Sequence, residues 1–251
     1  MYDTSSILSE ASRSLAEKVD ALHFGDPVAL IYNPIVYARR AWEAYLRKYS
    51  ATKKRVVFLG MNPGPWGMVQ TGVPFGEVAL VRDWLGIEAK IDTPDLVHPK
   101  RPIEGFSCKR SEVSGRRLWG LMGERFGSAE SFFREHFVAN YCPLAFLEKS
   151  GRNRTPDKLP VSERNALFAH CDEYLRITLD TLTPEWIVAI GAFAKKRCLA
   201  VITSHGKDQS ISNKISEIQI MGITHPSPAN PAANRGWAEI VTSELVRAGV
   251  W

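Results

Sequence analysis

At 251 residues, 45% hydrophobic and 24% charged, the chain is long enough to bury a full core and need not form more than one domain. Its 32 Lys and Arg against 27 Asp and Glu give a net charge of +5, which permits a polyanionic partner without requiring one. Cys108, Cys142, Cys171 and Cys198 lie far apart with no C-x-x-C pair, which argues against a structural zinc and a disulfide scaffold and for isolated thiols in a reducing compartment. Residues 1–10 lack the basic start and apolar run of a signal peptide. No stretch approaches the roughly 20 apolar residues of a membrane span, so a soluble intracellular protein without a membrane partner is expected.

In chain order, residues 5–22 carry Ile7, Leu8, Leu15, Val19 and Leu22 at a helical period, and residues 35–49 repeat it after the break at Asn33-Pro34. A short apolar run, residues 56–59, reads as the first strand. It breaks into a segment holding Gly60, Pro63, Gly64, Pro65, Gly67, Gly72, Pro74 and Gly76. Glycine lets backbone approach a ligand closely, and proline limits the order lost on binding. Asn62, Trp66 and Phe75 sit in this frame, which suits a flat polar ligand such as a nucleobase. Residues 78–85 predict a short helix ended by Gly86.

Residues 92–115 form a long basic connection, the kind that is usually functional or mobile. A helix follows Ser114-Gly115. Residues 137–139 predict a second strand, which runs into Asn140-Tyr141-Cys142-Pro143. A polar loop spans 149–160. Residues 161–182 read as a long amphipathic helix, 186–190 as a third strand closed by Gly191, and 192–202 as a helix. Residues 218–223 make a fourth strand leading to His225-Pro226-Ser227-Pro228, before a last helix near 236–248.

Strands alternating with helices predict an α/β fold: a single domain with a central four-stranded, mostly parallel sheet and helices on both faces. Parallel strands would place Asn62, Asn140 and His225 on one sheet edge. An amide offers both donor and acceptor to a pyrimidine edge. An aromatic such as Phe75 gives a stacking face, worth roughly 1–3 kcal/mol per base. A histidine can donate to an oxygen that gains charge as a bond breaks. Each residue also has a plainer role: Asn and His beside proline often only open turns, and Phe75 suits a core.

These residues carry a resemblance. Gly60-Met61-Asn62-Pro63-Gly64-Pro65-Trp66-Gly67-Met68, with residues 70–78 after it, resembles the first motif of the single-strand-selective monofunctional uracil-DNA glycosylases. His225-Pro226-Ser227-Pro228 with Asn230-Pro231 and 234–237 resembles their second motif. Stretches 81–87, 98–102, 111–115 and 140–144 extend the similarity over roughly residues 28–248. The first 22 or so residues carry no such signature, and 1–23 is expected to be a helical extension of the 1–251 domain.

The resemblance implies that Asn62 positions the attacking water and His225 stabilises the departing base. Phe75 would stack on that base and Asn140 would read its edge, with Met61 and Gly64 walling its 5-position. A tyrosine stands at the Gly64 position in related enzymes with a G-Q-D-P-Y-H motif. Uracil, 5-hydroxymethyluracil and 5-formyluracil are therefore the expected substrates, in single- and double-stranded DNA. The product would be an abasic site, passed to an abasic-site endonuclease in base excision repair. No lysine lies within 55–77, 140–144 or 224–237, so no Schiff-base lyase step is expected.

The resemblance also implies DNA contacts from Ser111, Ser114, Ser227, Pro228, Ala229, Asn230 and Arg235. Vertebrate members have an arginine where Ala229 stands, so weaker discrimination between single and double strands is expected, or use of another side chain. Lys109, Arg110, Arg116, Arg152 and Arg154 are candidate phosphate contacts, and Trp66 either closes the pocket or packs the loop. No cofactor, no metal and a monomer are expected, in the cytoplasm or nucleoid of a bacterium or the nucleus of a eukaryote. The competing reading is a non-catalytic binder of flipped or single-stranded bases.

Overall fold

The structure, a computed structural model, describes residues 3–205 and 217–251. Helix α1 (Thr4–Asp20) begins at Asp3, whose carboxylate accepts from the Ser6 amide, and buries Leu8, Leu15 and Val19. The apolar period of 35–49 is split at Ala38 into α2 (Pro34–Tyr37) and α3 (Arg39–Tyr49). Among the described residues no helix is long and apolar enough to cross a membrane.

The four predicted strands form one sheet. These are β2 (Val56–Gly60), β3 (His136–Asn140), β6 (Trp186–Ile190) and β7 (Gln219–Ile223), in the order β3-β2-β6-β7 with every pair parallel. Strand β2 is buried along its whole length, which is why it reads as an unbroken apolar run without alternation. Crossovers between parallel strands need long connections, and helices supply them: α9 (Ala192–His205) joins β6 to β7. The core around this sheet includes Phe58, Phe137, Trp119 and Phe132.

A second sheet was not expected. Strand β1 (Val28–Tyr32) pairs antiparallel with β4 (Ala145–Glu148), and β4 with β5 (Asn153–Arg154). Part of the predicted polar loop 149–160 is therefore paired strand. Strands β4 and β5, of four and two residues, give too little periodicity to read, whereas β1 is as long as β2 and its apolar run was the readable signal. Two short helices, α4 (Met68–Thr71) and α7 (Ala129–Phe133), went unread for the same reason of length. Helices α5 (Val78–Asp83), α6 (Val113–Phe126), α8 (Val161–Leu182) and α10 (Trp237–Arg247) match the predicted ones.

The long connection before α6 is irregular but pinned. Gln70 donates to the Pro65 and Pro102 carbonyls at 3.0 and 2.9 Å. Its Oε1 accepts from the Glu104 and Gly105 amides at 2.8 and 3.2 Å. The Tyr32 hydroxyl donates to the Arg101 carbonyl and accepts from the His98 amide, each at 2.7 Å. Two buried side chains thus hold a segment that has no ladder of its own.

Candidate active site

Parallel pairing brings the carboxyl ends of β2, β3, β6 and β7 to one rim. Gly60 is in register with Asn140, and Gly191 donates its N–H to the Ile223 carbonyl at 2.9 Å. Past the strands, Tyr141 and Cys142 donate to the Gly60 and Met61 carbonyls at 3.0 and 2.8 Å. The two asparagine loops therefore leave the sheet side by side.

Gly60 is the floor of the site. A Cβ there would lie 2.5 Å from Asn140 Oδ1 and 2.6–2.7 Å from the Phe75 ring. The strand must end in glycine for the amide and the ring to close over it. Phe75 is 7% exposed and holds φ +53, a conformation that bulky residues avoid and that costs of order 1–3 kcal/mol. Its carbonyl accepts from Trp119 Nε1 at 3.0 Å, which helps fix the turn. The Phe75 and His225 rings stand 6.3 Å apart.

The two amides are oriented but not saturated. Asn62 Nδ2 donates to the Leu144 carbonyl at 3.2 Å, and no described residue donates to its Oδ1. Asn140 Nδ2 meets Met68 Sδ at 3.3 Å. A thioether is a weak acceptor, so a ligand carbonyl can take that donor over at little cost.

His225 is set as a neutral donor. The Ser227 amide donates to its Nδ1 at 3.1 Å, which puts the ring proton of the neutral form on Nε2. Burial holds its pKa below the usual histidine value. Among the described residues no group accepts from Nε2. Gly191, at φ +89, takes a turn that favours glycine beside the ring; a Cβ there would make ordinary contact with His225 Cβ and Cδ2, at 3.4 and 3.5 Å. A cleft of about 410 Å³ runs past His225, lined also by Lys195, Thr224, Asn230 and Glu244.

The second-motif loop is braced from α6. Arg117 donates to the Pro226 carbonyl and to Asn234 Oδ1, each at 2.9 Å. Trp237 Nε1 donates to the Thr224 carbonyl at 2.7 Å. Asn230 spends its amide inside the loop, on the His225 carbonyl and the Ala232 N–H. Ser227 Oγ accepts from the Ala229 amide. Pro228, Ala229 and Arg235 are exposed.

The remaining expected contacts lie around this centre. Ser111 is exposed just ahead of α6, and Ser114 sits in its first turn. Lys109, Arg110, Arg116 and Arg152 are exposed. Arg154 instead bonds Glu148 Oε1 and the Lys158 carbonyl, so its donors are held within the loop. Trp66 is flanked by the guanidinium groups of Arg101 and Arg110, 5.1 and 4.4 Å from the ring centroid. It packs the basic connection onto the Asn62 loop. Sequence reasoning missed Gly191 as the positive-φ turn beside His225 and Arg117 as a brace. A glycine just past a strand was the one readable signal; nothing local marked Arg117.

The model of the uracil DNA glycosylase superfamily matches residues 47–243. This chain belongs to that superfamily. Within it the chain falls in the single-strand-selective monofunctional family. It is 42% identical to the single-strand selective monofunctional uracil DNA glycosylase of Bos taurus, over 94% of this chain and 84% of that one. Identity to the Mus musculus enzyme of the same description is 43%, over 97% of this chain and 84% of the other. The crystal structure of wild-type SMUG2 from Pedobacter heparinus superposes with a TM-score of 0.66 over the whole of both chains, at 17% identity, which shows the shared glycosylase-superfamily fold.

Proposed function

We propose that this protein is a monofunctional DNA glycosylase that extrudes uracil and 5-substituted uracils from DNA and hydrolyses the bond to the sugar. The carrying observation is the neutral His225, with its donor unclaimed, on the rim that also holds Asn62, Phe75 and Asn140. The 1–251 chain acts as one domain in this reading.

Extrusion costs a few kcal/mol, less from a single strand. Phe75 stacks on the flipped base, Asn140 pairs with its edge, and Met61 and Gly64 wall its 5-position. The C1′–N1 bond breaks with its electron pair passing to the base, so charge gathers on O2. His225 Nε2–H donates to that oxygen. Losing such a donor typically costs about 2.7–4 kcal/mol of barrier.

An amide takes no proton near neutral pH, so Asn62 orients water through Oδ1 rather than deprotonating it. Bond breaking therefore runs ahead of attack. Water adds to the cationic C1′, loses its proton to the departing base or solvent, and leaves an abasic site. Exposed Ser111, Ala229 and Arg235, with the basic connection, form the face that meets the phosphates.

The test is incubation with a uracil-containing oligonucleotide in EDTA, followed by alkali. Strand scission only after alkali is expected. Tight binding without scission would instead make the protein a base-capturing module.

A further inference from the structure

Glu112 stands directly before α6, where a side chain ordinarily caps the helix, yet it makes no capping bond. Its carboxyl turns back onto the Asn62 loop. A Cβ on Gly64 would lie 2.0 Å from Glu112 Oε1, and one on Gly67 2.0 Å from Oε2. On Gly115 it would lie 2.9 Å from Oε2 and 2.0 Å from the Phe75 carbonyl. Three glycines from two segments thus clear one volume, and this carboxyl fills it.

Oε2 is enclosed there, and no described residue hydrogen-bonds it. Enclosed polar atoms are nearly always paired, so an unpaired carboxyl oxygen against the Asn62 loop calls for an explanation. Burial and the nearby Glu77 carboxylate push Glu112 up to about 7. Residues 61–71, the other wall of the volume, contain no titratable group. Near neutrality the carboxyl therefore exists in both forms, one with a hydroxyl donor and one that only accepts.

We propose that Glu112 is a specificity-determining residue, filling the side-chain space of Gly64 from another element and hydrogen-bonding a polar substituent at the 5-position of the flipped base. The assignment rests on the glycosylase reading, in which Gly64 walls that position. The neutral carboxyl serves both hydroxymethyl and formyl groups. The carboxylate serves hydroxymethyl alone, since a formyl oxygen only accepts. The oxygen that faces Gly64 is Oε1, and a methyl group there would offer it no partner, so thymine is a poor fit.

The test is single-turnover excision from single-stranded oligonucleotides carrying uracil, 5-hydroxymethyluracil or 5-formyluracil. In Glu112→Met the hydroxymethyluracil-to-uracil rate ratio should fall at least tenfold. In Glu112→Gln, which keeps a donor and an acceptor, it should stay within about threefold. Between pH 6 and 8 the formyl-to-hydroxymethyl ratio of the wild type should fall with a midpoint near 7. The Glu112→Gln profile reports the substrate's own titration and should lack that step. Unmoved ratios in Glu112→Met, or identical pH profiles in wild type and Glu112→Gln, would overturn the assignment while leaving the glycosylase intact. Wild-type protein that releases no uracil would overturn both. The wild-type pH comparison decides the matter even if Glu112→Met does not fold.

Discussion

Two histidines sit at opposite ends of the same sheet, and they are wired in opposite senses. His136 opens β3. Its Nδ1–H donates to the Phe132 carbonyl at 2.8 Å, and its Nε2 accepts from Trp251 Nε1 at 3.2 Å. The ring stacks on Phe132 with centroids 4.8 Å apart. Both nitrogens are used, the residue is 2% exposed, and burial drives its pKa down to about 4. His225, past the end of β7, carries its proton on the other nitrogen and offers it to nothing in the described structure. Burial alone does not mark a functional histidine. The unspent donor does, because only a group with capacity left over can act on a ligand.

The sharpest way to break this contrast is to remove each ring. His225→Leu should lower the excision rate by about 10²–10³-fold while DNA affinity in a gel-shift assay holds. Equal loss of affinity would contradict its role as a donor to the leaving base. His136→Leu should leave the rate untouched and destabilise the fold by about 1–3 kcal/mol, because it strands the Phe132 carbonyl and the Trp251 N–H. Urea denaturation measures that cost.

Next in size is Gly60→Ala. The new methyl must displace Asn140 or Phe75, and a shift of about 1 Å in a positioning group can cost roughly 10²-fold in rate. Unchanged kinetics would mean that the amide and the ring are not held for the substrate.

Acid should separate the two histidines again. For His136 the unfolded chain binds a proton near 6.5 and the folded chain only near 4, so its contribution is complete above 6.5. It is lost as pH falls from there toward 4, up to about 3 kcal/mol. Comparing urea midpoints of wild type and His136→Leu at pH 7 and 4.5 isolates it. His225 shifts in the same direction, so activity should persist below the ordinary histidine pKa and decline only once that ring is protonated. The smallest effect expected is from Ala229→Arg: a few-fold gain on double-stranded substrate, read as the duplex-to-single-strand rate ratio. An unchanged ratio would remove Ala229 from the wedge.

The sequence by itself determined the parallel sheet and the loops it displays. A short apolar run such as 56–59, ended by glycine and proline, reads as a strand covered on both faces that leads into a loop. It also carried both family motifs, since a chemistry performed by a few side chains confines their types and spacing. Tertiary structure decided the rest. Strands β4 and β5 are too short to show a period, and the second sheet exists only because tertiary structure pairs them with each other and with β1. Ser227 and Phe132 reach their histidines from two and four residues away, but Trp251, which occupies the second nitrogen of His136, comes from 115 residues away through packing. The Glu112 carboxyl and the Gly64 and Gly67 backbone are about 45–50 residues apart in sequence. No local pattern encodes that one fills the space the others vacate, because that volume exists only once α6 is docked against the rim.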